Sequence, residues 1–246
     1  MAIAGNINGI MKSILIYFSL VLVFLISCQK ILFNGEEETR EISLGDFHAV
    51  KISGIYNIVL TQDYENRLVI TGKNDINSID ATVFDDTLII EDHKGIPFNT
   101  EKNNLTLYLS SLDYLVTYDP VNISNTDTLK GERLLYDAIG EISQVNMTVN
   151  CDLLQVVNSA NTLGTFYFYG KATTCSFFNR YGCTIFAGGL SCMYAEITNE
   201  SVGDVHINAS ENIRAYIWGP GNIYYYGIPV IEIAEQKGKG TIIKLN

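Results

Sequence analysis

The chain has 246 residues, 47% of them hydrophobic, with 16 basic and 27 acidic side chains and a formal net charge of −11. That length allows a sizeable core, and the acidic balance argues against nucleic acid as a partner. The cysteines form no Cys-x-x-Cys and no histidines pair at ligand spacing, so neither a metal site nor a cofactor is expected.

The amino terminus reads as a targeting segment. Met11-Lys12 precedes an apolar run from Ile14 to Ile26, then Ser27-Cys28. This is a short basic region, a hydrophobic stretch too short for a comfortable span, and small residues before a cut site. Leu25-Ile26-Ser27-Cys28 resembles the bacterial lipobox, whose cysteine becomes the lipidated first residue of the mature chain; a transmembrane anchor and a plain secretory signal are the alternatives. Residues 1 to 10 have no signal character, so Met11 is a second candidate start. Acyl chains on Cys28 would hold the protein to a membrane without a spanning helix, because each buried methylene contributes about 0.8 kcal/mol. An outer-membrane lipoprotein of the cell envelope is the expected localisation, on either face of that membrane.

One lysine and no acid precede Cys28, so the 219 residues from Cys28 onward carry 15 basic against 27 acidic side chains. Residues 28–39, with Glu36-Glu37-Glu38, read as a solvated tether, and 40–246 as one domain. β-branched and aromatic runs follow at Phe47 to Leu60, Arg67 to Thr71, Ala81 to Glu91, Leu105 to Ser110 and Ile213 to Tyr226, broken by Gly, Asn, Asp and Ser. Cys151, Cys175, Cys183 and Cys192 are expected to be buried thiols or to form one disulfide.

From Leu115 the chain repeats. Leu115, Leu135, Val156, Phe177, Ile197 and Ile217 stand 20 or 21 residues apart, each opening a β-rich stretch. Two residues past four of them lies a turn former, Asp137, Asn158, Asn179 or Asn199, with Gly219 in that slot one unit later. A unit of this size cannot bury its apolar side alone, so the units must stack with parallel strands about 4.8 Å apart. The predicted fold is all-β, a right-handed parallel β-helix with an Asn/Asp ladder at one corner.

The residue after each anchor should point outward: Val116, Tyr136, Val157, Phe178, Thr198 and Trp218, with Tyr216 beside Trp218. Phe166-Tyr167-Phe168-Tyr169 and Tyr224-Tyr225-Tyr226 add rings. Tyr136, Phe178, Tyr216 and Trp218 are therefore candidate ligand-binding aromatics for a glycan or a cell-surface protein; a stacked ladder that stiffens the coil is the alternative.

Several motifs resemble a known family. Arg40, Asp46-Phe47, Val50, Ile52, Gly54, Asn57-Ile58 and Leu60, then Leu88-Ile89-Ile90, are similar to the opening of the head GIN domain of auto-transporter adhesins. Gly219-Pro220-Gly221-Asn222-Ile223, followed by Tyr224 to Tyr226, Gly227 and Pro229, is similar to that family's closing pattern. The bends depart from the family's Gly-Ser-Gly, reading Ala138-Ile139-Gly140, Ser159-Ala160-Asn161 and Tyr181-Gly182-Cys183. The resemblance implies a β-helical, secreted or lipid-anchored envelope protein in adhesion, with no established catalytic site.

An enzyme is the competing reading, since glycoside hydrolysis on a β-helix needs two placed carboxyl groups. Asn125-Thr126-Asp127 and Asp85-Asp86 are fragments of such a set in the wrong order, and His48, His93 and His206 have no nucleophile motif nearby. No catalytic residue is assigned. A scaffold that presents an extended surface to an envelope protein is the third reading.

Overall fold

The computed structural model describes residues 36–73, 75–94, 102–140, 142–160 and 162–246. The targeting segment, the lipobox with Cys28 and most of the tether lie outside them; Glu38 and Thr39, assigned above to the tether, already belong to the first strand.

Eighteen strands and a single 3-10 turn, Ile76–Ser78, make up the described residues. The amino-terminal module holds β1 (Glu38–Ser43), β2 (Ala49–Ser53), β3 (Tyr56–Gln62), β4 (Arg67–Gly72), β5 (Ile79–Phe84), β6 (Thr87–Asp92) and β7 (Asn103–Leu109). The stack continues with β8 (Tyr114–Thr117), β9 (Asn122–Asn125), β10 (Leu129–Lys130) and β11 (Arg133–Ala138). Long strands follow, β12 (Ile142–Asn158), β13 (Leu163–Asn179), β14 (Thr184–Asn199) and β15 (Val205–Ile217). Short ones close it, β16 (Ile223–Tyr226), β17 (Val230–Gln236) and β18 (Ile242–Lys244).

The pairing is that of a parallel β-solenoid, as the period predicts. One face runs β6, β2, β8, β11, the second halves of β12 to β15, and β17. The other runs β7, β3, β9, the first halves of β12 to β15, then β16 and β18. Each coil therefore has one sharp corner, after Ala138, Asn158, Asn179 or Asn199, and one gentle corner inside a long strand. At the gentle corner Gly170 has φ +100, and a Cβ there would lie 2.1 Å from the Val149 carbonyl oxygen, so only glycine fits.

The amino end departs from simple stacking. β6 and β7 lie outside β2 and β3, and antiparallel strands seal them: β5 on β6, then β4 on β7 with β1 on β4. Closing both edges with antiparallel, charged strands prevents the unpaired backbone from templating another chain. Asp85 and Asp86, with φ 45 and 62, form the tight turn from β5 to β6. Their left-handed backbone suits a two-residue hairpin turn, a structural use for the pair read above as a catalytic fragment.

The inward column runs Leu115, Tyr136, Val156, Phe177, Ile197 and Ala215, in steps of 21, 20, 21, 20 and 18 residues. Two anchors are thus corrected. Leu135 is only half-buried, because Tyr136, not Leu135, registers with Leu115 and Val156. Ile217 pairs with Asn199, one inward position further on, since the last coils shorten. Rings fill the middle coils: Tyr136 meets Phe166 edge-on at 5.7 Å, and Phe168 stacks on Phe177 at 6.3 Å. Cys151, Cys175, Cys183 and Cys192 are all unpaired and buried, the first of the two expectations.

The corner ladder is real and one member shorter than predicted. Asn158, Asn179 and Asn199 are buried. Asn158 accepts from the Arg180 backbone N–H at 2.8 Å and donates to the Arg180 carbonyl at 2.6 Å. Asn179 donates to the Cys183 carbonyl at 2.9 Å and to Asn199 Oδ1 at 3.0 Å. Asp137 is off the ladder, for it pairs with Val116 and Val157 on the outer side and Ala138 takes the slot. Gly219 is off it too, because Ile217 stands beside Asn199.

Candidate binding face

The four aromatics proposed from the sequence divide. Tyr136 is fully buried and no surface residue, because the shifted register turns it inward, where its hydroxyl meets Thr117 Oγ1 at 3.1 Å. Phe178 and Tyr216 do share the outer column, following Val116, Asp137, Val157 and then Thr198. The Arg180 guanidinium lies 4.1 Å from the Phe178 ring centre, and Arg214 lies 5.6 Å from that of Tyr216. Trp218 sits past the end of β15 rather than in the column; it donates Nε1–H to Glu235 at 2.8 Å, meets Tyr216 edge-on, and carries Lys237 at 4.9 Å. Cations of the chain itself occupy these rings.

A second outer surface carries open rings. On the face that begins with β7 and β3, one outward column reads Val59, Ser124, Asn146, Tyr167, Phe186, His206 and Tyr224 in successive coils. Its last four members are a continuous ladder with ring centres 5.0, 4.8 and 4.8 Å apart and interplanar angles of 11°, 30° and 19°. Strand spacing dictates this distance, since parallel strands hold like positions about 4.8 Å apart. Tyr169 and Tyr226 flank the ladder over Gly188 and Gly189, where an added Cβ would lie 2.8 Å from the Tyr226 ring and 2.6 Å from that of Tyr169.

Next to the rings the column changes to small side chains, and a groove of about 510 Å³ opens over them. Asn57, Asn122, Gln144, Asn146, Ser124, Thr165 and Tyr167 line it, and the remaining lining residues are apolar. Amides link coil to coil along its side: Asn122 donates to Asn57 at 2.9 Å, and Asn57 to Asn104 at 3.0 Å. Gln144 and Asn146 are exposed and make no side-chain hydrogen bond to another described residue. The tyrosines were visible in the sequence as alternating runs. Their alignment with Phe186 and His206 was missed because only positions next to the anchors were compared; the 19- and 20-residue steps to Phe186 and His206 carried the signal.

Burial holds the His206 imidazole below its ordinary pKa, opposed by the Asp204 carboxylate. Its depressed folded-state value means that the stability it contributes is full above about pH 6.5 and is lost as pH falls through the folded pKa. An NMR titration is expected to place His206 below 6.5 and His48, raised by its 2.7 Å hydrogen bond to Asp86, above it. The same titration of His206→Phe should leave the His48 curve in place while removing the lower one.

The chemistry of the groove is that of recognition. No carboxylate, histidine or cysteine lines it. A smaller cleft beside Tyr114 holds the carboxylate of Asp113, which is paired with Arg133 at 3.2 Å. Burial pushes the thiols of Cys151 and Cys183 up to about 11 and about 12, far from a thiolate nucleophile at neutral pH. Among the described residues no cluster of ligating side chains could hold a metal ion, and no helix is long and apolar enough to cross a membrane.

An extended parallel solenoid with a groove and ring ladder on its outer wall defines the molecule as a repeat protein built around an exposed face. Residues 46–229 match the family described as "Putative auto-transporter adhesin, head GIN domain", and the chain belongs to that family. A putative adhesin of Bacteroides fragilis has 25% sequence identity and a TM-score of 0.78, over 85% of this chain and 97% of that one. A putative adhesin of Parabacteroides merdae (22% identity, TM-score 0.62) covers 87% of this chain and 98% of its own, and shares the fold. So does a putative lipid binding protein of Parabacteroides distasonis, at 21% identity and TM-score 0.62 over 87% and 98% of the two chains. No curated protein matches the chain.

Proposed function

We propose that the protein is a non-catalytic adhesin of the bacterial cell envelope, tethered to the outer membrane by acyl chains on Cys28, which binds a glycan or protein ligand on the outer wall of its solenoid. The observation that carries this reading is the groove and adjoining ring ladder, an exterior surface of uncharged polar groups and aromatic rings with no paired carboxylates. Large, stiff rings on the outside of a soluble fold are costly unless they meet something. Family membership supports adhesion, and the basic, apolar and lipobox segments before Cys28 support the tether. Catalysis needs two converging reactive groups, and the groove supplies none.

Two measurements test it. Mass analysis of the mature amino terminus is expected to find an acylated Cys28, and Cys28→Ala is expected to release the protein from the membrane fraction; an unmodified terminus or retained attachment refutes the anchor. Cells displaying the wild-type chain are expected to adhere to glycan- or protein-coated surfaces more than cells lacking it. Equal adherence refutes the adhesin role.

A further inference from the structure

The ring ladder has an end. Tyr167 presses one ring face against Phe186 at 5.0 Å and 11°, while on the opposite side its column continues as Asn146, Ser124 and Val59, too small to cover the other face. The groove of about 510 Å³ is the volume left where the rings stop. Tyr167 remains 38% exposed at that boundary.

We propose that this groove binds a neutral glycan, with a sugar ring stacked on the open face of Tyr167 as the next rung of the ladder and its hydroxyls held by Gln144, Asn146 and Asn122. The proposal rests on the adhesin reading above. Three features select the ligand. A sugar ring has an apolar C–H face for stacking and a rim of hydroxyls, each both donor and acceptor, and the amides facing it are likewise both donors and acceptors. The amide chain from Asn104 through Asn57 stops at Asn122, leaving Asn122 Oδ1 without a donor, beside the unpaired amides of Gln144 and Asn146. No charged side chain lines the groove and the whole chain carries −11, so uronate or sulfated polymers are repelled rather than recognised. A peptide strand is poorly suited, because the floor is a sheet face whose backbone groups are already paired in the ladders of β3, β9, β12 and β13. The volume lies within the range of small-molecule sites, about 300–1,000 Å³.

The test uses full-length protein in detergent micelles against hexasaccharides of glucose, mannose, galactose and xylose, with polygalacturonate and heparin alongside. At least one neutral hexasaccharide is expected to bind. Tyr167→Ala should weaken that binding about tenfold or more, as truncating a central aromatic contact does. Tyr167→Phe should keep it, and Gln144→Ala with Asn146→Ala should weaken it severalfold. Tyr224→Ala, at the far end of the ladder, and Trp218→Ala, on the other face, should change it less than about twofold. Binding by none of the neutral sugars, a preference for the acidic polymers, unchanged affinity in Tyr167→Ala, or loss in Trp218→Ala overturns the proposal. Adherence of cells displaying Tyr167→Ala separates the two readings: wild-type adherence with unaltered Tyr167→Ala adherence overturns the glycan groove and leaves the adhesin role standing.

Discussion

Phe168→Ala is expected to lower the free energy of unfolding by about 3–5 kcal/mol, the range for truncating a buried aromatic. Phe168 is fully buried and stacks on Phe177 at 6.3 Å across the interior of its coil. The cavity has little means of collapsing, because the strands around it are fixed by ladders to the coils on either side. In a solenoid the loss falls on one coil and its two neighbours, so urea unfolding followed by far-ultraviolet circular dichroism should show a lower midpoint and a broader transition. The same change one residue earlier offers the contrast. Tyr167→Ala removes a partly exposed ring and one stacking contact, and is expected to cost about 1 kcal/mol. A loss for Phe168→Ala no larger than for Tyr167→Ala would contradict the assigned in-and-out alternation of β13.

The second large effect is expected from Asn179→Asp, which preserves shape and removes only a donor. The Asn179 amide faces two acceptors, the Cys183 carbonyl at 2.9 Å and Asn199 Oδ1 at 3.0 Å. An ionised carboxylate there would be a buried charge against two oxygens, with an expected cost of about 3–5 kcal/mol at neutral pH. The folded state then holds the new carboxyl protonated, above its unfolded pKa of about 3.9. The sign follows: the penalty is absent below that value, where a protonated Asp can donate one of the two bonds, and grows as pH rises. Melting temperatures of wild type and Asn179→Asp should therefore converge near pH 3.5 and diverge by pH 7, and a pH-independent difference would refute the ladder's polarity. Asn179→Ala, which adds no charge, should cost about 2 kcal/mol at every pH because Ser201 still donates to the Cys183 carbonyl.

The sequence made the stack legible because its period is long, unbroken and tied to a chemical requirement. Stacked strands need like residues at like positions, so Val156, Phe177 and Ile197 align in sequence as in space. Asn158, Asn179 and Asn199 were readable for the same reason, since a corner that one amide must hold recurs once per coil. The errors arose where the repeat is imperfect. Leu134-Leu135-Tyr136 is apolar throughout, so alternation alone could not say which residues turn inward, and pairing with Leu115 and Val156 settled it for Tyr136. Coil shortening to 18 residues after Ile197 displaced Ile217, Trp218 and Gly219 from their expected slots.

The groove was hidden for a different reason. Each of its side chains is unremarkable for a strand, and its amides come from Asn57 and Asn122, which are 65 residues apart in sequence. The insertion of β4 to β7 between them carries no repeat signal, because those strands pair antiparallel and seal an end. Only the fold brings β3 beside β9 and so places the polar half of the groove next to the ring ladder.

That same seam governs how the chain closes on itself. From β8 onward each coil finds its partner after one turn, whereas β3 must meet β9 across the 65-residue separation of Asn57 and Asn122. Loop-closure entropy rises with the logarithm of length, so this junction costs about 1 kcal/mol more to form than a 20-residue coil does. Contacts local in sequence can assemble first, and the amino-terminal module has no such local route onto the stack. Until it docks, β8 and β9 stand as bare parallel edges, and its antiparallel strands can protect the growing solenoid only after that longest loop has closed.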